Sequence, residues 1–304
     1  MTDAVKVAVT GSSGLVGSAL VPDLQRRGHD VVRFVRRPTR SADEVRWNPA
    51  EGGLDPATLA DVDAVVHLAS VNVGDRRWTD KHKAAVLSSR IDGTTTISTA
   101  MAAAEPRPRV LLSASAVGWY GDCGDRVLTE KDPAGDGLLA DVVVRWEAAT
   151  AAAEDAGVRV VHFRSGLICA PKGGLMGRVL PLFKLGLGSR LGGGEQYWPL
   201  ISLVDEVSGI NFLLDADIHG PVNLTSPEPV TNAEFTQTLR RVLRRPPVPP
   251  VPGFALRLVL GSERADQIVL TGQRAVPKVL LDHGFEFEHA TAEAILRYTT
   301  NRSA

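Results

Sequence analysis

The sequence predicts an α/β protein: a doubly wound parallel sheet followed by a smaller, mainly helical C-terminal part. Three observations predict it. Short β-branched runs alternate with helical patterns through the first half of the chain, which is the signature of strand–helix–strand units. The first strand breaks on a glycine and resumes as a helix, with glycines at Gly11, Gly14 and Gly17. Beyond about residue 170 the composition shifts to glycine-rich and then proline-rich stretches.

The elements follow in order. Val5 to Thr10 reads as a strand, Leu15 to Arg27 as its helix, and Gly28 closes that helix. Val31 to Val35 is the second strand and ends on Arg36-Arg37-Pro38. Glu44 to Trp47 is a short third strand, and Val62 to Ala69 is an apolar run of the kind buried in a parallel sheet. Two helices are expected next, Trp78 to Arg90 and Ile91 to Ala104, ended by Pro106 and Pro108. Arg109 to Ser113 is a strand that feeds Ser113-Ala114-Ser115-Ala116-Val117-Gly118-Trp119-Tyr120-Gly121. One helix from Leu138 to Ala156 and a strand from Val158 to Phe163 complete the alternation. Lys172 to Gly194 reads either as a mobile cover over a crevice or as a plain connection. Then come Val204 to Leu214 (helix), Gly220 to Leu224 (strand), Asn232 to Leu243 (helix) and an extended proline run, Pro246 to Pro252. Phe254 to Leu260, Pro277 to His283 and Ala292 to Tyr298 are mainly helical. The expected division is residues 1–168 and 169–304, with 204–224 returning to the first part.

The bulk values exclude several classes. A formal net charge of −1 writes in no pull toward nucleic acid or a membrane surface. No run of eighteen apolar residues exists and the chain goes straight into a strand, so neither a membrane span nor a signal peptide is expected. Cys123 and Cys169 lack metal-ligand spacing and read as free thiols. The expectation is a cytoplasmic protein without a metal, a monomer or homodimer, acting on a small molecule.

The glycine stretch carries the chemistry. Its spacing, directly after a strand and opening a helix, is that of the Rossmann dinucleotide pyrophosphate site. Gly11 permits the turn, Gly14 lets backbone approach a phosphate, and Gly17 lets the helix pack closely on the strand. The amides of the helix N-terminus then face the phosphates. The candidate cofactor residues here are Gly11, Ser12, Ser13, Gly14, Leu15, Val16 and Gly17, with Leu68 and Ala69 at the end of the fourth strand. An Asp or Glu at the end of the second strand would accept bonds from the ribose 2′-hydroxyl of NAD. Arg36 and Arg37 stand there instead and pair well with a 2′-phosphate, so NADP(H) is the cofactor expected; the alternative is a solvated arginine pair. His67 reads either as a residue facing the cofactor or, more commonly for a histidine in an apolar strand, as a packed core residue.

Several stretches together resemble a known family. They are TGSSGLVG at Thr10 to Gly17, RRWTDKHKAAVLSSRI at Arg76 to Ile91, SASAVGWYGDCG at Ser113 to Gly124 and RWEAA at Arg145 to Ala149. Ala170 to Gly188 and Gly272 to Ala290 continue the match. The chain resembles the extended short-chain dehydrogenase/reductases, within them the atypical "epimerase family" NAD(P)-binding proteins, described as nucleoside-diphosphate-sugar epimerase-like. The resemblance implies a Rossmann-type nucleotide-binding domain, a smaller substrate-side C-terminal domain and a cofactor of the NADP type. In typical extended members a serine after the fifth strand and a downstream Tyr-x-x-x-Lys carry the chemistry, the lysine lowering the pKa of the tyrosine.

That pair is absent. The residues four after Tyr120, Tyr197 and Tyr298 are Gly124, Ile201 and Arg302. Counting back from Glu147, the expected pair falls on Leu139 and Val143, and neither moves a proton. Ser115 is the counterpart of the family serine, with Ser113 the register alternative and a further cofactor candidate; its hydroxyl would polarise a carbonyl. Tyr120 is the candidate proton donor, with an expected pKa near the ordinary value of about 10. Arg90 stands where typical members carry an asparagine and would add positive charge at the cofactor. Each has a structural alternative: a turn cap, a packed phenol, a salt bridge. Leu200-Ile201-Ser202-Leu203-Val204-Asp205 also departs from the Trp-Ile-His-Ile-Asp-Asp of relatives, so the substrate side makes fewer polar contacts. Two functions stand: an NADP(H)-dependent oxidoreductase or epimerase-like enzyme on a small carbonyl or sugar-like substrate, or a non-catalytic NADPH-binding sensor.

Overall fold

The computed structural model describes residues 4–74 and 78–301. Arg76 and Arg77, which open one of the family-like stretches, therefore lie outside the described residues. The chain forms two compact units, one of residues 1–115, 142–163 and 207–221 and the other of residues 116–141, 164–206 and 222–304. Beside the expected division of 1–168 and 169–304 with 204–224 returning, contacts set 116–141 with the second unit and 207–221 with the first. The chain changes unit near the carboxyl ends of β5 and β6, within β7 and within two helices, all defined below, so the division is interleaved rather than sequential.

The sheet comprises β1 (Lys6–Thr10), β2 (Asp30–Val35), β3 (Glu44–Arg46), β4 (Ala64–His67), β5 (Val110–Ala116), β6 (Arg159–Ser165) and β7 (Gly220–Leu224). It is seven-stranded and parallel, in the order β7-β6-β5-β4-β1-β2-β3. Val7 pairs with Val31 on one side and Ala64 on the other, and Ala64 with Val110. The order reverses between β1 and β4. The carboxyl ends of those two strands are where an open α/β sheet opens a crevice to a ligand. Val7, Ala8 and Val9 are wholly buried, as are Ala64, Val65 and Val66, because helices cover both faces of a parallel sheet.

In the first unit, helix α1 (Leu15–Arg26) ends before Gly28, whose φ of +91° is the left-handed turn expected past a helix C-terminus. The two helices expected over Trp78 to Ala104 are one, α2 (Asp80–Ala103), capped by the Thr79 side chain, which accepts from His82 N–H. Gly93 does not break it. A Cβ there would lie 3.3 Å from Cε1 of His67, so this glycine admits the imidazole against the helix. The single helix expected from Leu138 is two, α3 (Leu138–Ala148) and α4 (Ala151–Asp155). The Thr150 hydroxyl bonds back to Glu147 O at 2.7 Å and the last turn tightens there. Phe34, Trp47, Val65, Ile97, Met101 and Leu111 form the core against these helices.

The second unit has its own core, built by α5 (Gly174–Lys184), α7 (Asn232–Leu243) and α9 (Ala292–Thr300), each with an apolar stripe at helical spacing. Met176, Phe183, Trp198, Phe235, Leu239 and Ile295 meet there. The glycine-rich stretch 172–194 is thus neither a loose cover nor a plain connection: half of it is α5, which buries Met176, Leu180 and Phe183. Thr231 and Glu234 close a reciprocal capping box on α7. Further helices, among them α6 (Leu203–Asp215), which runs on into the first unit, α8 (Gly253–Leu260) and a short one at Lys278–Asp282, and several two-stranded pairs complete the described residues. The pairs escaped the sequence because two- and three-residue strands carry no periodicity.

Candidate functional site

The glycine loop is built from backbone. Gly11 has a φ of +66°, and a Cβ on it would lie 2.8 Å from the carbonyl carbon of Leu68 and 2.9 Å from Ala69 N. The β4 exit therefore packs directly on the turn. Gly17 acts differently from the expectation: its Cβ would lie 2.4 Å from Gly11 O and 2.7 Å from Ser12 Cα, so it lets α1 close on the turn rather than on the strand. Ser13 and Gly14 are exposed, and Leu15 and Val16 half-buried. Gly14 caps α1 without any side-chain bond to the first-turn amides. That leaves N–H donors and the positive end of the helix dipole at the loop, an arrangement suited to a pyrophosphate.

The loop is held by one hydroxyl. Thr10 Oγ1 accepts from Leu68 N–H at 3.0 Å and from Ala69 N–H at 3.2 Å, and bonds Nδ1 of His67 at 2.9 Å. His67 is wholly buried, and burial holds its pKa down at about 4, so the ring is neutral.

The two arginines at the end of β2 divide. Arg37 forks onto Glu44, with Nη1 to Oε2 at 2.8 Å and Nη2 to Oε1 at 2.6 Å. Glu44 also accepts from Arg40 N–H at 2.7 Å, and the Arg37 pairing holds its carboxyl down at about 2. Arg36 is exposed and makes no hydrogen bond or ion pair with the described residues. The pair expected to read a phosphate is one available guanidinium and one clamp.

Arg90 is 8 % exposed and has no carboxylate partner among the described residues. Its Nη1 donates to Val71 O at 2.9 Å and Val86 O at 3.0 Å, and its guanidinium lies 4.7 Å from the Trp146 ring centroid. Burial lowers its pKa to about 10, which still leaves it charged. A buried cation without an acid is a fitting partner for an anionic ligand.

At the end of β5, Ser115 donates to Glu147 Oε1 at 2.5 Å, with both residues buried. This changes the expected role. The hydroxyl hydrogen is committed to the carboxylate, so Ser115 offers lone pairs, not a proton, to a ligand. Glu147 served in the sequence only as a landmark; its apolar neighbours gave no sign of a partner. Ser113 is 1 % exposed, with its Oγ unpaired among the described residues, two positions before Ser115 in the strand. Val143 is buried in α3, an apolar residue where a lysine was sought.

Tyr120 belongs to the second unit and is fully buried. Its hydroxyl donates to Asn223 Oδ1 at 2.8 Å and accepts from Arg164 Nη1 at 3.2 Å. Burial pushes the phenol up to about 12, which corrects the expected value near 10. Arg164 stacks 3.9 Å from the Trp119 ring centroid. The phenol is thus a saturated member of a buried network, and its committed proton argues against the donor role. In the same unit a cavity of about 210 Å³ is lined by Asp122, Asp136, Asp266, Gln267 and Gln273, with Leu139 at its wall and no lysine or arginine among the described residues of its lining. Cys123 and Cys169 are free thiols, no group of metal-ligating residues occurs among the described residues, and none of their helices is long and apolar enough to cross a membrane.

Residues 7–224 match the model of the NAD dependent epimerase/dehydratase family, and residues 251–299 match a domain of unknown function, DUF1731. An epimerase family protein of Mycobacterium bovis is 48 % identical, with 99 % of each chain covered. The human epimerase family protein SDR39U1 is 32 % identical over 96 % of this chain and 99 % of its own. The crystal structure of its isoform 2, described as a complex with NADPH, superposes with a TM-score of 0.88 at 32 % identity, covering 97 % of this chain and 99 % of that one. With this match and the glycine turn that β1 delivers to the β4 exit, the chain belongs to the NAD dependent epimerase/dehydratase family.

Proposed function

We propose that the chain is an NADP(H)-dependent oxidoreductase or epimerase-like enzyme that acts on a small carbonyl or sugar-like substrate. The observation that carries the cofactor is the turn at Gly11 to Gly17, where added Cβ atoms would strike backbone and the helix amides are uncapped. The relative described with NADPH supports the same reading. The residues fit the group: loop amides for the pyrophosphate, Arg90 as a buried positive charge beside the cofactor, and Arg36 for the 2′-phosphate, with Arg37 held by Glu44.

NADPH, when bound, supplies a hydride. The protein's part is positioning. Ser115, its proton held by Glu147, accepts from a substrate hydroxyl. A cavity whose described lining carries Asp122, Asp136 and Asp266 suits a neutral or cationic substrate better than a diphosphate. The second reading, an NADPH sensor, is favoured by the apolar Val143 and by the committed hydroxyl of Tyr120.

Titration of NADPH and NADH against wild type and Arg36→Ala tests the cofactor. NADPH affinity should fall on the order of tenfold to a hundredfold, the loss of a charged hydrogen bond. NADH affinity should hold. Equal loss of both cofactors would count against Arg36 as the phosphate reader. For the reaction, a panel of small carbonyls, alcohols and nucleotide sugars should yield one substrate with NADPH or NADP⁺. Tight NADPH binding with silence across the panel favours the sensor.

A further inference from the structure

The histidine in β4 has a single consistent bonding pattern. A threonine hydroxyl has one hydrogen and two lone pairs. Both lone pairs of Thr10 are taken by Leu68 N–H and Ala69 N–H, so its hydrogen goes to Nδ1 of His67. The neutral ring therefore carries its proton on Nε2. The Leu68–Ala69 peptide, fixed from below by Thr10, is the same one that packs on Gly11 at a distance no Cβ would allow. His67 in turn is seated by Gly93 of α2 and by an edge contact with Trp47, ring centroids 6.0 Å apart. Its Nε2 is buried without a partner among the described residues. An imidazole that satisfies only half of its polar edge contributes poorly to stability in an apolar strand. Its value lies in the half it does satisfy.

We propose that His67 is a positioning residue for the cofactor loop: by accepting the Thr10 hydroxyl proton at Nδ1, it aims the Thr10 oxygen at the Leu68 and Ala69 amides and so sets the surface on which Gly11 turns. It touches no phosphate. It acts on the part of the site that NADP(H) and NAD(H) would share, whereas Arg36 acts on the part that distinguishes them. The inference rests on the cofactor reading above for its effect on binding, and on the hydrogen-bond pattern alone for the tautomer.

The test has two readouts. NADPH and NADH are titrated by fluorescence against wild type, His67→Asn and His67→Leu. Asparagine places an amide oxygen at the δ position and can still accept from Thr10, while leucine cannot. His67→Leu should weaken both cofactors equally, by about tenfold or more, and His67→Asn should stay within about threefold of wild type. Unchanged affinity in His67→Leu, equal loss in the two variants, or loss of one cofactor only overturns the proposal. Should His67→Leu not fold, Thr10→Val and Thr10→Ser make the same comparison, valine losing the bond and serine keeping it. The second readout is the ¹⁵N spectrum of the histidines in the cofactor-free protein, with His67 assigned by the signal missing in His67→Asn. A proton on Nε2 is expected, and a proton on Nδ1 overturns the proposal. Failure of wild type to bind either cofactor would defeat the proposed function while leaving the tautomer result to decide this inference.

Discussion

The loop after β1 and the network around Tyr120 are both tightly built, but from different material. The loop is backbone against backbone, with glycines at 11 and 17 because no Cβ fits. The Tyr120 network is side chain against side chain: a phenol between Asn223 and Arg164, with Arg164 stacked on Trp119. Backbone amides left uncapped at a helix start remain donors for a ligand. A side-chain network that satisfies itself has nothing left to offer one. The contrast separates a site poised to bind from a cluster that holds its unit together.

The largest expected effect that could break this comparison is at Gly17. A Cβ 2.4 Å from Gly11 O forces the turn to move, so Gly17→Ala should lower NADPH affinity on the order of a hundredfold. It should also destabilise the fold by roughly 1–3 kcal/mol, the usual cost of overpacking, read by denaturant titration. Gly14→Ala is its control for stability: that Cβ meets only Gly11 O at 3.2 Å in an exposed position, and its loss of stability should be far smaller. Equal effects would mean that the helix contact is not what Gly17 serves.

Tyr120→Phe comes next. It strips Asn223 Oδ1 of its donor in a buried place, so stability should drop by about 1–3 kcal/mol. NADPH affinity should not move. A variant of unchanged melting temperature and abolished turnover would instead restore the phenol as a proton donor.

The remaining effects are in pH dependence, where the two units carry opposite signs. His67 is held near 4 in the fold and titrates near 6.5 when unfolded, so unfolding takes up a proton between those values and stability falls as pH falls. Glu206, wholly buried with Ser165 Oγ donating to it at 2.5 Å, is pushed by burial from 4.5 to about 8. Folding then holds a proton that the unfolded chain releases, and stability falls as pH rises through that window. Either slope is at most about 1.4 kcal/mol per pH unit. His67→Asn should flatten the acid side of the stability curve and Glu206→Gln the alkaline side. A curve that neither variant alters would mean that these groups are more hydrated than the fold indicates.

The glycine turn was legible in the sequence because its signals are local. A glycine that must adopt positive φ, a helix that starts beside it and arginines at a strand end all lie within thirty residues. The helices over 203–215 and 232–243 were legible for the same reason, their stripes and caps being short-range. The stretch forming α2 reads as two helices because its polar first half and its alanine- and threonine-rich second half differ in composition, although Thr79 caps one continuous helix. Ser115 with Glu147 and Tyr120 with Asn223 are partners 32 and 103 residues apart, and no window of sequence contains them.

By itself the sequence determined the order of strands and helices, the backbone turn for a dinucleotide and the absence of a Tyr-x-x-x-Lys pair, because each follows from residue type and near spacing. Only the tertiary structure decided which arginine is free, which direction the Ser115 hydroxyl points, how acidic Tyr120 is and which nitrogen of His67 holds its proton. Those are questions of who occupies whose lone pair and how much water is excluded, and burial and long-range contact settle them.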